Sequence, residues 1–167
     1  MTARCPLLVS LLLVSSLFLV WLPNRVSGQK TQELGLVEDV VLLPWKIRLP
    51  ARIDTGAALT SIDARDLVVR DNVAEFRLPE KYGGQTLRLP VVGWRTVKSA
   101  EAKERRPVVE LHVCVGSERL RIKANLNDRS KVKYPMLIGR DVLRHGFAVN
   151  CTRSHCLQPS CPELDQQ

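Results

Sequence analysis

One short turn restricts this chain more than any other feature. Asp54-Thr55-Gly56 closes a strand-like run, Ala51-Arg52-Ile53, and leads into Ala57. About eighty residues later Met136-Leu137-Ile138-Gly139-Arg140-Asp141 echoes it with a second apolar run that ends on glycine. A carboxylate placed at the end of a strand, in a crowded turn, has its ionisation set by neighbours rather than by solvent. Gly56 lets the backbone approach closely, and Thr55 brings a hydroxyl that can lock the turn. No internal repeat supplies a second Asp-Thr-Gly. Chemistry that needs two such carboxylates therefore needs a second chain, related by a twofold axis that brings the same patch to itself.

The first 28 residues read separately. Pro6 to Leu22 are 17 residues without a charge, after a short start that contains Arg4. This is the pattern of an export signal, with cleavage expected after Val26-Ser27-Gly28. The run is also just long enough to span a bilayer. A periplasmic or otherwise exported protein is expected, anchored in the inner membrane if the signal stays in place. Residues 29–167 hold enough chain for one core, divided here into a domain over 29–150 and a Cys-rich tail over 151–167.

Setting aside Arg4 and Arg25 leaves 23 of the 25 basic residues against 17 acidic ones, a net charge of +6 that favours acidic partners. The basic residues are scattered with little aromatic interleaving, which argues against nucleic-acid binding. Four cysteines follow the signal: Cys114, Cys151, Cys156 and Cys161. In an oxidising compartment they are candidate disulfide partners, and a local bridge within the tail is the simplest pairing. A zinc knuckle completed by His155 is the competing reading, with a spacing unlike that of common zinc sites.

Short runs rich in β-formers, punctuated by Gly, Pro and Asn, predict a mainly β fold. The expected strands cover 36–43, 47–54, 61–69, 74–78, 86–92, 107–115, 119–125 and 134–138. Residues 141–145 suit one short helix near the C-terminus, ending at Gly146. Residues 81–85 are expected to form a loop, and 96–106 a charged connector between two strand groups.

Four ordered blocks then resemble one family: Ala51 to Ala57 with Leu59-Thr60-Ser61; Arg106-Pro107-Val108-Val109; Asn127-Asp128-Arg129-Ser130; and Tyr134 to Leu143. The family is that of retropepsin-like peptidases often labelled ATP-dependent zinc proteases, relatives of a peptidase that trims glutamate tails from a ribosomal protein. The resemblance implies an all-β fold, a small closed barrel of the acid-protease type. It also implies a homodimer in which Asp54 of each subunit is the catalytic carboxylate, with amide bonds of glutamate-containing peptides or conjugates as substrates. Thr55 and Gly56 would shape the turn. Ala57, Leu137, Ile138 and Gly139 would support it from beside. Arg129 and Arg140 stand next to Asp128 and Asp141, either in salt-bridge networks or as forks for a substrate carboxylate or the partner subunit. The ATP and zinc of the label find no support, because the chain has no phosphate loop and no His-Glu-x-x-His, and no cofactor or metal is expected. A noncatalytic peptide-binding or scaffold module of the cell envelope, built on the same barrel, is the alternative.

Overall fold

The computed structural model describes residues 31–98 and 103–164; the expected export segment lies outside them. Eleven strands are formed by the described residues. β1 (Gln32–Leu34), β2 (Val37–Leu43), β3 (Ile47–Ile53), β4 (Thr60–Asp63), β5 (Arg65–Arg70) and β6 (Val73–Arg77) come first. β7 (Thr86–Lys98), β8 (Lys103–Val115), β9 (Glu118–Asn127), β10 (Met136–Ile138) and β11 (Phe147–Val149) follow, with helix α1 (Arg140–Leu143) before β11.

Six strands in the order β2-β3-β10-β4-β9-β8 form a closed barrel, the ring being shut by β2 against β8. Closure hides both edges of the sheet, which solves the problem of unpaired backbone groups. The interior is filled by alternate residues: Val40 and Leu42 from β2, Leu49 and Ala51 from β3, Leu111 and Val113 from β8, and Met136 and Ile138 from β10, all essentially sealed from solvent. β10 is the element that matters most for function. It runs parallel to β3 in the register Ile53↔Ile138, so the two apolar strands end side by side and deliver Asp54 and Gly139 to the same place.

β2 carries apolar residues on both faces, for a reason the sequence pattern does not give away. Its outward residues Val41 and Leu43 join Cys114, Cys161 and Leu164 in a second, small core on the outside of the barrel. The C-terminal tail lies over that face as a strap. Backbone bonds hold it at Leu36 N–H to Arg153 C=O (2.7 Å), His155 N–H to Val37 C=O (2.7 Å) and Ser160 N–H to Gly116 C=O (2.8 Å). The strap passes so close to Gly35 that a β-carbon there would stand 2.6 Å from the Arg153 carbonyl oxygen.

The strap corrects the expected cysteine pairing. Cys161 reaches back to Cys114, 47 positions away, while Cys151 and Cys156 are free thiols. The tail is not stapled to itself, because its buried sulfur faces the barrel. A loop of that length adds about 4 kcal/mol by chain entropy alone.

The segment over 96–106 also differs from expectation. β7 and β8 pair out to Lys98↔Lys103, past one irregularity between Val91 and Gly93, so the described parts of the expected charged connector, 96–98 and 103–106, belong to long antiparallel strands, while 99–102 lie outside the described residues. β6 and β5 continue the sheet beyond β7. The expected strand over 61–69 is two strands, β4 and β5, separated at Ala64. Residues 80–82 form one turn of 3-10 helix that ends on Gly83 and Gly84, both at positive φ, as the loop chemistry of the glycines requires. β1 and β11, which no sequence signal marked, pair in parallel as a separate two-stranded sheet. Among the described residues no helix is long and apolar enough to cross a membrane.

Candidate active site

Asp54 sits one residue past β3, half-buried, with its backbone N–H donated to the Ile138 carbonyl (2.9 Å). Its Oδ1 accepts the N–H groups of Gly56 (2.9 Å) and Ala57 (3.1 Å). The carboxylate thus folds its own turn around one oxygen, as Asx turns do. A β-carbon on Gly56 would lie 3.2 Å from that oxygen, which accounts for the glycine. Oδ2 meets no donor among the described residues, so one oxygen is structural and the other is available for chemistry.

The second apolar run closes the turn from beside. Arg140 N–H donates to the Ala57 carbonyl (2.9 Å), and its guanidinium donates to the carbonyls of Thr55 (2.9 Å) and Gly56 (2.7 Å). Arg140 is therefore a clamp on the turn; among the described residues it has no carboxylate partner. Gly139 has no room for a side chain, since a β-carbon would meet Asp141 Oδ1 at 2.8 Å and the Leu59 carbonyl carbon at 2.8 Å. Ile138 and Gly139 are buried, and Leu137 is half-exposed at the edge of the site.

The buried hydroxyl beside the turn locks the end of the second apolar run. Thr55 is exposed and donates to nothing among the described residues; the buried hydroxyl belongs to Thr60. Thr60 Oγ1 accepts the Gly139 N–H (3.2 Å) and donates to Asp141 Oδ1 (3.1 Å), which also takes the Thr60 N–H (2.9 Å). Asn125 completes the layer, donating to the Thr60 carbonyl (2.8 Å) and accepting the Ser61 hydroxyl (3.2 Å). Thr60 and Ser61 stood in the matching block, but only β4, buried along its whole length, reveals their work.

Burial pushes the Asp141 carboxyl above the ordinary carboxylate range, against the bonds from Thr60, and its Oδ2 is buried without a partner. The folded state thus holds this proton more tightly than the unfolded chain does. No cost arises below the ordinary aspartate value near 3.9; above it the cost grows with pH until Asp141 ionises in the fold. Asp141→Asn is expected to flatten that decline. Denaturant midpoints of both proteins between pH 3 and pH 7 check this, and parallel curves would show Asp141 to be silent.

Neither neighbouring charge pair is an ion pair. Asp128 accepts the Ser130 N–H (2.7 Å) and lies 3.7 Å from Arg65, and its carboxyl is held below the ordinary range chiefly by the Ser130 bond. Arg129 turns the other way, donating Nε to the Tyr134 carbonyl (3.1 Å). Its backbone N–H goes to Asp63, a buried carboxylate that also receives both prongs of Arg65 at 2.9 and 2.8 Å. Burial is the main force pressing Arg129 below the ordinary arginine range. His112 and His145 are exposed, and His155 lies 3.8 Å from Asp39. Among the described residues no three His, Cys, Asp or Glu side chains gather as metal donors.

A closed six-stranded barrel with an Asp-Thr-Gly turn and an adjoining apolar-apolar-Gly strand defines a retropepsin-like fold with Asp54 as its candidate carboxylate. The family described as RimB-like, retropepsin-like aspartic endopeptidase RimB, matches residues 33–159, and the chain belongs to that family. Among solved structures it is similar to the crystal structure of Lpg0085, a DUF785 protein of unknown function from Legionella pneumophila. The two share 28% identity with a TM-score of 0.65, over 75% of this chain and 98% of that one. No curated protein matches the chain.

Proposed function

We propose that this chain is an exported aspartic peptidase that works as a homodimer and hydrolyses amide bonds in glutamate-containing peptides or conjugates. The observation that carries the reading is the division of labour at Asp54: Oδ1 is tied to two backbone N–H groups and Oδ2 is free of them. Two such carboxylates facing one another share one proton. The ionised member takes a proton from water as the water attacks the scissile carbonyl carbon, and the protonated member donates to the carbonyl oxygen. The tetrahedral species then collapses, the amide nitrogen leaves with a proton, and the shared proton is restored. Arg140 and Thr60 hold the turn rigid, so neither carboxylate has to be reorganised during the step.

Export is supported by the uncharged run over 6–22 and agrees with the Cys114–Cys161 disulfide. The acidic substrate is supported by the net positive charge and by arginines near Asp54. Turnover per chain is expected to fall in proportion to concentration once the protein is diluted below its dimer dissociation constant. Rate measurements on a dilution series, beside sedimentation of the same samples, test this. A specific rate that stays constant while the protein sediments as a monomer rules out the shared site.

A further inference from the structure

Arg129 lines a cleft of 320 Å³ that shares Ala57, Leu59 and Leu137 with the catalytic turn. The residue is half-buried and its Nε is spent on Tyr134, yet among the described residues no carboxylate pairs with its guanidinium. Asp63, whose charge favours the Arg129 cation, has both oxygens committed to Arg65. Burial makes the Arg129 charge costly, Asp63 and Asp54 offset it only through space, and a ligand carboxylate would offset it further. The wall opposite adds to the imbalance. Arg95 and Arg106 stand directly across from one another in the β7–β8 pairing, and both line the same cleft. Like charges in that relation repel. Arg106 is partly relieved by Glu104 at 2.7 Å, but no acidic residue lines the cleft among the described residues.

We propose that Arg129 is the specificity-determining residue of this site: it receives a carboxylate side chain of the substrate next to the scissile amide, with Arg95 approaching the same carboxylate from the β7–β8 arm. Arg140, the other arginine weighed for a substrate carboxylate, is instead committed through one terminal nitrogen to the carbonyls of Thr55 and Gly56. The assignment rests on the peptidase reading for its orientation toward a scissile bond. Its binding prediction stands apart from turnover, because a planar guanidinium fork discriminates carboxylate from amide whether or not the amide bond is cut.

The test uses the full chain carrying Asp54→Asn, so that binding is measured without hydrolysis, with pentaglutamate and pentaglutamine as probes in calorimetric titration at low salt. Pentaglutamate is expected to bind about 10- to 100-fold tighter, the scale of one charge-assisted bidentate contact. Adding Arg129→Gln should remove at least tenfold of that preference and leave pentaglutamine binding unchanged, while Arg129→Lys should restore only part of it. Arg95→Gln, at an exposed position, should lower the preference by a smaller factor with an unchanged melting temperature, and this covers the case in which Arg129→Gln misfolds. Equal binding of both probes by the parent overturns the proposal. So does an equal loss of both on Arg129→Gln in a folded protein. Arg129-dependent binding without any turnover by the wild type would retire the peptidase reading and leave the subsite standing. Turnover that ignores substrate charge would do the reverse.

Discussion

Asp54→Asn leaves the barrel folded and removes turnover by about 10²- to 10⁴-fold, the range lost when a positioned acid or base is taken from a reaction. The amide of Asn still offers an oxygen to the Gly56 and Ala57 N–H groups, so the turn keeps its shape while the proton that the pair must share has no second carboxylate. Melting curves and peptide hydrolysis on the same preparations separate the two effects. Mixing the variant with wild type sharpens the outcome: heterodimers should be as inactive as the variant, so activity falls faster than the wild-type fraction. A scaffold protein would instead keep its cellular function with Asn at this position, and full turnover by the variant would remove Asp54 from the chemistry.

Glu38→Ala is expected to cost on the order of 3–5 kcal/mol of stability, although Glu38 lies outside the site. Its carboxylate is fully buried and accepts three backbone N–H groups: Gly35 (2.6 Å), Cys156 (2.9 Å) and Leu157 (3.1 Å). Truncation strands all three donors and frees the strap on one side of its disulfide. The strap in turn supports the strand that leads into Asp54, because Leu36 donates to Arg153 and accepts the N–H of Ile53 (2.9 Å). A loss of activity should therefore accompany the loss of stability. Denaturant titration of the oxidised protein and faster amide exchange at Cys156 and Leu157 would register it. A loss below about 1 kcal/mol would mean that the disulfide alone holds the tail.

Much of the fold was legible because strands with one buried face must alternate, and Leu111-His112-Val113 and Leu120-Arg121-Ile122 do so. The strand ends at 96–98 and 103–106 escaped because charge runs read as loops, whereas here β7 and β8 hold each other and need little core. β1 and β11 escaped because three-residue strands leave too short a pattern to detect.

By itself the sequence determined the chemistry on offer: a carboxylate, a glycine that yields to it, and a second apolar strand ending in Gly139, all stated by residue type and local spacing. Tertiary structure decided the rest. It placed the Thr60 hydroxyl on Gly139 and Asp141, made Arg140 a clamp, turned the Arg129 guanidinium to a backbone carbonyl, and joined Cys161 to Cys114 beneath a strap held by Glu38. All but the Arg129 bond depend on partners dozens of residues away, and local sequence carries no record of which distant donor a buried oxygen will meet.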